Sequence, residues 1–246
     1  MRQTAKRLAC YLFAIVFVLV GWHLTSLALD TPALPTPTET IPVLARYTPD
    51  LAGDFLISLW RVAISLVIGT VIGLPVGLAL GRSSRADALF APVLYILYPL
   101  PKVVILPILL VVLGLGGAPK IVLISLTIFF QVVVVMRDAA KSIPAATVLS
   151  VRSLGASRLD LWRHVVIPAT LPELFTTLRV STAVAIAVLF ISESFAGSTG
   201  LGYFIMNSWG MVNYPRMFAG VIALAVLGVL IYLVFDLCER RLTRWR

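Results

Sequence analysis

Long apolar segments bounded by charged residues recur along the chain. A helix needs about 20 apolar residues to cross the hydrocarbon core, and a charged side chain at the centre of the bilayer is costly. Six segments follow this pattern, at residues 8–29, 62–80, 90–115, 121–136, 178–195 and 218–237. An isolated strand cannot satisfy its backbone hydrogen bonds in lipid. The pattern therefore predicts an all-α integral membrane protein with six transmembrane helices.

The third apolar segment is interrupted by four prolines. They are Pro92, Pro99, Pro101 and Pro107. Each proline lacks a backbone N–H, and its ring clashes with the preceding turn of a helix. We therefore predict that this span is kinked or partly broken, which is tolerated at membrane depth where protein or water covers the freed backbone.

The composition supports a membrane location. Hydrophobic residues make up 60% of the 246 residues and charged residues 13%, against about 25% charged in an average soluble domain. The formal net charge is +9, which in a soluble protein would suggest a nucleic-acid partner. The sequence has no aromatic-rich recognition module and no zinc-finger spacing, so no nucleic-acid partner is expected.

The basic residues between the predicted spans fall almost entirely on one side of the membrane. That side carries Arg2, Lys6, Arg7, Arg82, Arg85, Arg137, Lys141, Arg152, Arg158, Arg163, Arg240, Arg241, Arg244 and Arg246. The other side carries Arg46, Lys120 and Arg216. By the positive-inside rule, the first side is cytoplasmic, so both termini are predicted to be cytoplasmic.

A Pro- and Thr-rich stretch, DTPALPTPTETIPV, follows the first apolar segment. Ser26 and Ala28 give that segment a small-x-small cleavage pattern, but it is long for a signal peptide. We interpret it as a retained span, with a cleaved leader as the alternative. Residues 1–54 are then a transmembrane anchor with an extended external segment, and residues 55–246 form a five-span core.

The longest basic loop, residues 137–173, has the pattern of two short helices rather than a flexible linker. Pro144 can occupy the first turn of a helix that runs to about Ser153, and Gly155 then breaks it. Ser157 and Asp160 form a capping box that predicts the start of a second helix.

The second helix is predicted from residue 158 to about residue 166, with Pro168 ending it. Its apolar side chains share one side, because positions three and four apart lie on the same face. They are Leu161, Trp162 and Val165. Such an amphipathic helix either lies on the inner leaflet or docks into a groove of a partner protein, and the pattern alone favours neither.

The run SLGASRLDLWRHVVIPATLPELFTTLRV resembles the cytoplasmic signature loop of binding-protein-dependent ABC transporter permeases. In that family an EAA triplet is followed by three residues, Gly, nine residues and I-x-L-P. The matching positions are Gly155, Val165, Ile167 and Pro168. Leu149, Ser150 and Val151 stand where the family has the triplet, so the usual glutamate contact is missing.

The resemblance implies that the loop contains a coupling helix, between the fourth and fifth spans, that enters a cleft of an ATP-binding subunit. The residues it implicates are Arg152, Gly155, Ala156, Ser157, Arg158, Leu161 and Pro168. Three further stretches, SLWRVAISLVIGTVIGLPVGLALGRSSRAD, YPLPKVVILPILLVVLGLGGAPKI and SESFAGSTGLGYFIMNS, resemble the nitrate/sulfonate/taurine branch of these permeases.

Membership of that branch implies the permease subunit of an importer in the cell inner membrane. Such a subunit moves a small anionic solute inward by ATP-driven alternating access. The implied partners are two cytoplasmic ATP-binding subunits, an external or periplasmic solute-binding protein, a second permease copy and the lipid bilayer. ATP and Mg are bound by the partner subunits, and the resemblance implies no cofactor and no metal in this chain.

The sequence offers little support for chemistry within this chain. It has no G-x-x-x-x-G-K-[ST] motif to hold ATP phosphates, and GSTGLG at residues 197–202 follows an apolar helix and contains no lysine. An intramembrane enzyme would need paired carboxylates, a metal site or an activated nucleophile. The only histidines, His23 and His164, fall on opposite sides of the membrane. No catalytic residue is therefore assigned; an intramembrane enzyme and a passive channel remain the alternatives.

Four polar residues in the spans are candidates for lining a transport pathway: Lys102, Ser192, Glu193 and Ser194. An ionisable residue inside a membrane span is a functional candidate by default. Lys102 is the candidate for contacting an anion, with an ammonium extended to the inner interface as the alternative. A carboxylate would repel an anion, so Glu193 is interpreted as an ion-paired or hydrogen-bonded gate element. Arg61 and Arg179 are expected only to mark the ends of their spans.

Overall fold

The computed structural model describes residues 2–243, and Arg244 and Arg246, which the orientation argument included, lie outside the described residues. The described chain is organised as helices joined by short turns. They are α1 (Arg2–Leu29), α2 (Pro37–Arg82), α3 (Ser84–Leu97), α4 (Leu106–Leu113), α5 (Ala118–Lys141), α6 (Ala145–Ser153), α7 (Arg158–Leu161), α8 (Ile167–Ala196), α9 (Leu201–Gly210) and α10 (Tyr214–Leu242). A 3₁₀ turn, Lys102–Ile105, precedes α4, and a π-helical turn, Trp162–Val166, joins α7 to α8.

Within the described residues, four helical stretches are long and apolar enough to cross a membrane. They are Pro37–Arg82, Ala118–Lys141, Arg158–Phe195 and Tyr214–Leu242. A fifth span results if α3 and the stretch Lys102–Leu113 are counted together, and these two are bent by 81°. The break predicted from the prolines of the third span is therefore confirmed. Of the first predicted span, Phe13–Leu29 is a shorter apolar helix, so the number six stays a prediction.

The structure differs from the extended conformation expected for residues 30–54, because α2 already begins at Pro37. Thr36 caps this helix: its hydroxyl accepts from the Glu39 N–H, and its own N–H donates to the Glu39 carboxylate at 2.8 Å. Pro37 fits the first turn, where no backbone donor is needed. Pro42 and Pro49 lie inside the helix without ending it. The helix therefore projects well beyond the apolar stretch of the second span.

A stripe of glycines brings α2 unusually close to α5. It consists of Gly69, Gly73, Gly77 and Gly81, spaced four residues apart on one face of α2. A Cβ added at Gly77 would lie 2.7 Å from the carbonyl oxygen of Val133, and one at Gly69 would lie 2.8 Å from that of Ser125. Small residues at this spacing let helix backbones approach closely in a membrane, where packing supplies much of the association energy.

We expect Gly77→Leu to destabilise the fold by about 1–3 kcal/mol or more, because a side chain there forces α2 and α5 apart. Gly53→Leu is the matched control, since Gly53 lies in the same helix and no atom of the described residues lies within 4 Å of an added Cβ. Thermal unfolding of the purified protein in detergent measures both. Equal unfolding midpoints for the two variants would contradict the close packing of this stripe.

The core lies around α5, which packs against α2 on one side and α8 on the other. Its fully buried side chains include Leu123, Ile124, Ile128 and Val132. Near the C-terminal end of α5, the Arg137 side chain forms an ion pair with Asp87 of α3, which fixes α3 to α5. This scaffold holds the broken third span and the α7–α8 connection in place.

Candidate functional site

The basic loop has the local structure that its sequence predicts. The short helix α6 begins after Pro144 and ends at Ser153, and Gly155 follows with a φ of +83°. The Gly155 N–H donates to the carbonyl oxygen of Arg152 at 2.9 Å, which closes the turn. A positive φ favours glycine over residues with a Cβ. The first helix and its glycine break are therefore confirmed.

The capping box at the start of α7 is also confirmed. The Ser157 hydroxyl accepts from the Asp160 N–H at 3.2 Å, and the Asp160 carboxylate accepts from the Ser157 N–H at 3.0 Å. Two of the four unpaired N–H groups that begin any helix are satisfied in this kind of box. The direction of α7 is thereby fixed relative to the Gly155 turn.

The expected end of this helix at Pro168 is wrong. The chain stays helical from Arg158 to Phe195, with Pro168 in the first turn of α8. The connection is a π-helical turn in which the Ile167 N–H donates to the carbonyl oxygen of Trp162. The wider turn explains how the proline is accommodated, since a proline ring inside a regular α-helix clashes with the carbonyl four residues before it. Helix α7 and the span α8 are therefore parts of one continuous helical stretch.

The exposed surface of this region differs from the one that the sequence suggests. Leu161 is only 5% exposed and belongs to the core of this chain, with Trp162 and Val165 packed beside it. Leu154 and Leu159 are 87% and 75% exposed. Leu161 therefore holds α7 on the membrane domain, and the outward apolar side chains are ones that the sequence reasoning did not single out.

Lys102 lies at the break of the third span, near the middle of the membrane domain. Its ammonium donates to the carbonyl oxygens of Leu97, at 2.9 Å, and of Tyr98, at the end of α3. It also lies 4.8 Å from the centroid of the Phe130 ring. Phe130 is roughly 17 Å from either end of α5, from the rise of 1.5 Å per residue. The ammonium thus lies beside the middle of α5, at the break between α3 and the 3₁₀ turn.

Glu193 is fully buried and forms an ion pair with Arg61. The Arg61 Nη1 atom lies 2.6 Å from Glu193 Oε1, and the Ser58 hydroxyl lies 3.0 and 2.9 Å from the two carboxylate oxygens. The Gly202 N–H donates to Glu193 Oε2 at 2.9 Å. Arg61 is therefore more than a marker of the end of its span, and the expectation of a paired glutamate is met. These groups, with Asp54 and Thr199, are called the Arg61–Glu193 cluster below.

Three residues of α2 organise the Arg61–Glu193 cluster from a single face of that helix. Asp54, Ser58 and Arg61 are spaced four and three residues apart, so their side chains point the same way. The Asp54 carboxylate accepts from the Gly200 N–H at 2.6 Å. Both terminal nitrogens of Arg61 donate to Thr199, each at 3.0 Å. Arg61 is about 31 Å along the helix from Arg82, so the cluster lies near the opposite end of the span.

The glycine-rich loop at residues 197–202 closes over the carboxylate of Glu193. Gly200 has a φ of +106° and a ψ of 164°, and a Cβ there would overlap that carboxylate. A Cβ at Gly202 would lie 2.7 Å from Glu193 Cβ. These glycines follow the end of α8, as expected, and they let irregular backbone approach a buried charge. Their role is to seal the ion pair.

The two serines predicted beside Glu193 play smaller parts. The Ser192 hydroxyl donates to the carbonyl oxygen of Leu189 at 2.9 Å and is fully buried. The Ser194 hydroxyl donates to the carbonyl oxygen of Phe190 at 2.7 Å. Both hydroxyls are thus bonded within their own helix, and that of Ser194 also lies 3.5 Å from the carbonyl oxygen of Gly202. Arg179, expected to mark the end of a span, forms an ion pair with Glu239 of α10 at 2.6 Å.

Comparisons with known proteins agree on one family. A family model described as "Binding-protein-dependent transport system inner membrane component" matches residues 52–244. The chain is 29% identical over 238 residues to the taurine transport system permease protein TauC of Escherichia coli (strain K12), covering 94% of this chain and 86% of TauC. It is also 29% identical over 215 residues to SsuC of Bacillus subtilis (strain 168), a permease protein named for aliphatic sulfonates transport, covering 87% of this chain and 78% of SsuC.

The fold is also that of a solved transporter structure. A chain of the MetNI methionine ABC transporter, in a structure titled for its inward-facing conformations, matches with a TM-score of 0.64. The match covers 78% of this chain and 96% of the other chain, with 24% sequence identity. This similarity supports the arrangement of the helices.

Proposed function

We propose a solute class and a coupling surface for this chain, which belongs to the family of binding-protein-dependent transport system inner membrane components. It is a permease subunit of an ABC importer and a multi-pass membrane protein. ATP is bound and hydrolysed by a separate subunit, so the chain is not an enzyme and needs no cofactor of its own. ATP-binding subunits and a solute-binding protein are its partners.

The cargo that we propose is a small anion of the sulfonate, taurine or nitrate type. The observation that carries this proposal is the extent of the similarity to TauC and SsuC, whose names refer to taurine and aliphatic sulfonates. The half-buried cation at Lys102 supports it, because a positive charge within the membrane domain favours an anionic cargo. We further propose that the solute enters the cytoplasm from an external or periplasmic binding protein.

The assembly that we propose contains two copies of this chain and two ATP-binding subunits. In this proposal each copy has six spans, one for each apolar segment of the sequence. Both termini are in the cytoplasm, which the distribution of basic residues supports. ATP-driven closure of the ATPase pair moves α6 and α7, and the continuous helix from Arg158 to Phe195 carries that movement into the membrane. The Arg61–Glu193 cluster holds α2, α8 and the glycine-rich loop together while the helices reorient. Transport is then alternating access driven by differences in binding between conformations.

The coupling surface in this proposal is formed by exposed side chains around the Gly155 turn. Its members are Leu149, Arg152, Leu154, Arg158 and Leu159. Gly155 and Ser157 shape this surface, Ala156 lies between them, and Leu161 and Pro168 fix it to the membrane domain. Apolar anchors flanked by arginines are typical of the groups that dominate protein interfaces. With the glutamate of the EAA triplet absent, Arg152 and Arg158 supply the charged contacts of this surface.

The function is tested by reconstituting the permease with its ATPase subunit and its binding protein in proteoliposomes. We expect ATP-dependent uptake of radiolabelled taurine or a short alkanesulfonate. Uptake should be absent when ATP is replaced by ADP. ATP-dependent uptake of a neutral solute with no uptake of either sulfonate would contradict the proposed cargo and leave the family assignment intact.

Leu159→Glu should weaken docking of the ATPase subunit, because it places a charge where an apolar anchor is buried in the complex. A well-buried anchor contributes about 2 kcal/mol or more, so the affinity should fall roughly 30-fold. Leu159→Met is the matched control, since it keeps the volume and the apolar character. Co-purification of the ATPase at limiting concentration, together with uptake, measures the effect. Equal recovery of the ATPase with both variants would remove Leu159 from the coupling surface.

A further inference from the structure

A pocket of about 330 Å³ lies beside the break in the third span. Its polar lining comes from Lys102 at the break and from Thr127 and Gln131 on α5. The rings of Tyr98 and Phe130 also line the pocket. Phe130 lies near the midpoint of α5, so the pocket is at mid-depth in the membrane domain. Its volume falls within the range of about 300–1,000 Å³ that is usual for small-molecule sites.

Among the described residues, polar and aromatic groups surround the ammonium of Lys102, but no carboxylate neutralises its charge. In the described part of the chain, the partners of the ammonium are two carbonyl oxygens and the faces of two aromatic rings, and no carboxylate is among them. Carbonyl dipoles at the end of α3 and ring quadrupoles stabilise the charge locally. A net charge at the centre of a membrane protein remains costly. An anionic ligand would balance it.

The Gln131 side chain provides a second unsatisfied group in the same pocket. Its Oε1 atom is buried and has no hydrogen-bond partner within the described residues. A buried polar atom without a partner costs about 1–3 kcal/mol. Rotation of the amide by 180° would present its NH₂ group instead, so the same side chain can donate to an anion or accept from an ammonium group. The Thr127 hydroxyl already donates to the carbonyl oxygen of Leu123 at 2.9 Å, which leaves its oxygen as an acceptor.

We propose that this pocket is a transient binding site for the sulfonate group of the cargo. The Lys102 ammonium is the counter-ion, the Gln131 amide is the second polar ligand, and the Tyr98 and Phe130 rings contact the carbon chain. This inference rests on the anionic cargo proposed above. Binding at such a site must be weak enough for the solute to leave, which suits one cation and one neutral amide better than two cations.

Thiol labelling tests the site. The ratio of the labelling rates of an anionic and a cationic reagent depends on the local electrostatic potential, and it can be measured without measuring transport. In the complete transporter with Cys10 and Cys238 replaced by Ser, Gln131→Cys is treated with a sulfonatoethyl methanethiosulfonate, an anionic reagent. A trimethylammonioethyl methanethiosulfonate is the cationic comparison. We expect adding Lys102→Met to lower the ratio of anionic to cationic labelling rates by on the order of 10-fold. Lys141→Met is the matched control, because it removes the same charge from a lysine at the end of α5.

Two outcomes would overturn the site: an unchanged labelling ratio in Lys102→Met, or no labelling of Gln131→Cys by either reagent. If Lys102 only caps the end of α3, Lys102→Met should lower the thermal stability and leave the labelling ratio unchanged. Protection of Gln131→Cys by an alkanesulfonate, lost in Lys102→Met, would support the site directly.

Uptake measurements separate the site from the cargo. We expect at least about 10-fold slower sulfonate uptake in Lys102→Met, with partial recovery in Lys102→Arg, because the charge is the group that matters. If the unaltered transporter takes up no sulfonate, the proposed cargo fails, and the labelling ratio still tests the anion site. If the unaltered transporter and Lys102→Met take up sulfonate equally fast, only the site fails.

Discussion

Replacing Glu193 with Met should destabilise the protein by about 3–5 kcal/mol, because it leaves the buried Arg61 guanidinium without its counter-ion. The side chain of Arg61 is only 9% exposed, and that of Glu193 is fully buried. Lys120, itself 1% exposed, interacts electrostatically with both partners. Removal of the Glu193 carboxylate would therefore leave the positive charges of Arg61 and Lys120 close together in the protein interior.

The same geometry predicts an order among the variants. Arg61→Met should cost less than Glu193→Met, because Lys120 still compensates the carboxylate. The double variant Arg61→Met/Glu193→Met should be more stable than Glu193→Met alone, since it also removes the guanidinium charge next to Lys120 and fills the volume of the ion pair with apolar groups. Unfolding in detergent, measured for all four members of the cycle, gives the coupling free energy. Strictly additive effects would show that the two side chains do not stabilise each other.

The local features of the coupling region could be predicted from the sequence because their causes are local. Ser157 and Asp160 are three residues apart, and the bonds between them form whatever the rest of the chain does. The Gly155 turn has the same origin, in the positive φ that glycine allows. Exposure is not local: Leu161 and Leu159 look alike in the sequence, and only the packing of α7 on the core separates them.

The Arg61–Glu193 cluster could be predicted only in part, because its two charges are 132 positions apart. The carboxylate in a span indicated that a partner was needed, but the identity of the partner depends on how α2 and α8 pack. A signal was present in α2, where Asp54, Ser58 and Arg61 share one face of a membrane helix. Their spacing indicates a polar helix face that needs hydrogen-bond and ion-pair partners inside the membrane. Residues from other parts of the chain provide these partners.

The extended conformation expected for residues 30–54 is wrong over most of its length, because the capping signal starts a helix in spite of the high proline content. Thr36 and Glu39 have the spacing of a capping box, and Pro37 is in the position where a helix tolerates proline best. The stripe of glycines on α2 was another readable signal. Its four-residue spacing predicts close packing against another helix, but only the structure identifies that helix as α5.

Gly200→Ala should open the glycine-rich loop that covers the Arg61–Glu193 ion pair. Backbone strain and steric overlap both oppose an alanine at this residue. The backbone conformation at Gly200, with a φ of +106° and a ψ of 164°, lies in a region that is essentially restricted to glycine. An alanine there costs roughly 1–3 kcal/mol from strain alone. The added Cβ would also overlap the Glu193 carboxylate, and overpacking of this kind adds about 1–3 kcal/mol.

Gly114→Ala is the matched control that separates strain from overlap. Gly114 has a φ of 80° and a ψ of −178°, in the same restricted region, but in the described part of the chain no atom lies within 4 Å of an added Cβ. We therefore expect Gly200→Ala to lower the unfolding free energy clearly more than Gly114→Ala, and to reduce ATP-dependent uptake with it. The difference between the two variants should shrink when each is combined with Arg61→Met/Glu193→Ala, because the carboxylate group that the added methyl group would strike is then gone and no other side-chain atoms take its place. An undiminished difference in that background would mean that the added methyl group strikes something other than the Glu193 carboxylate.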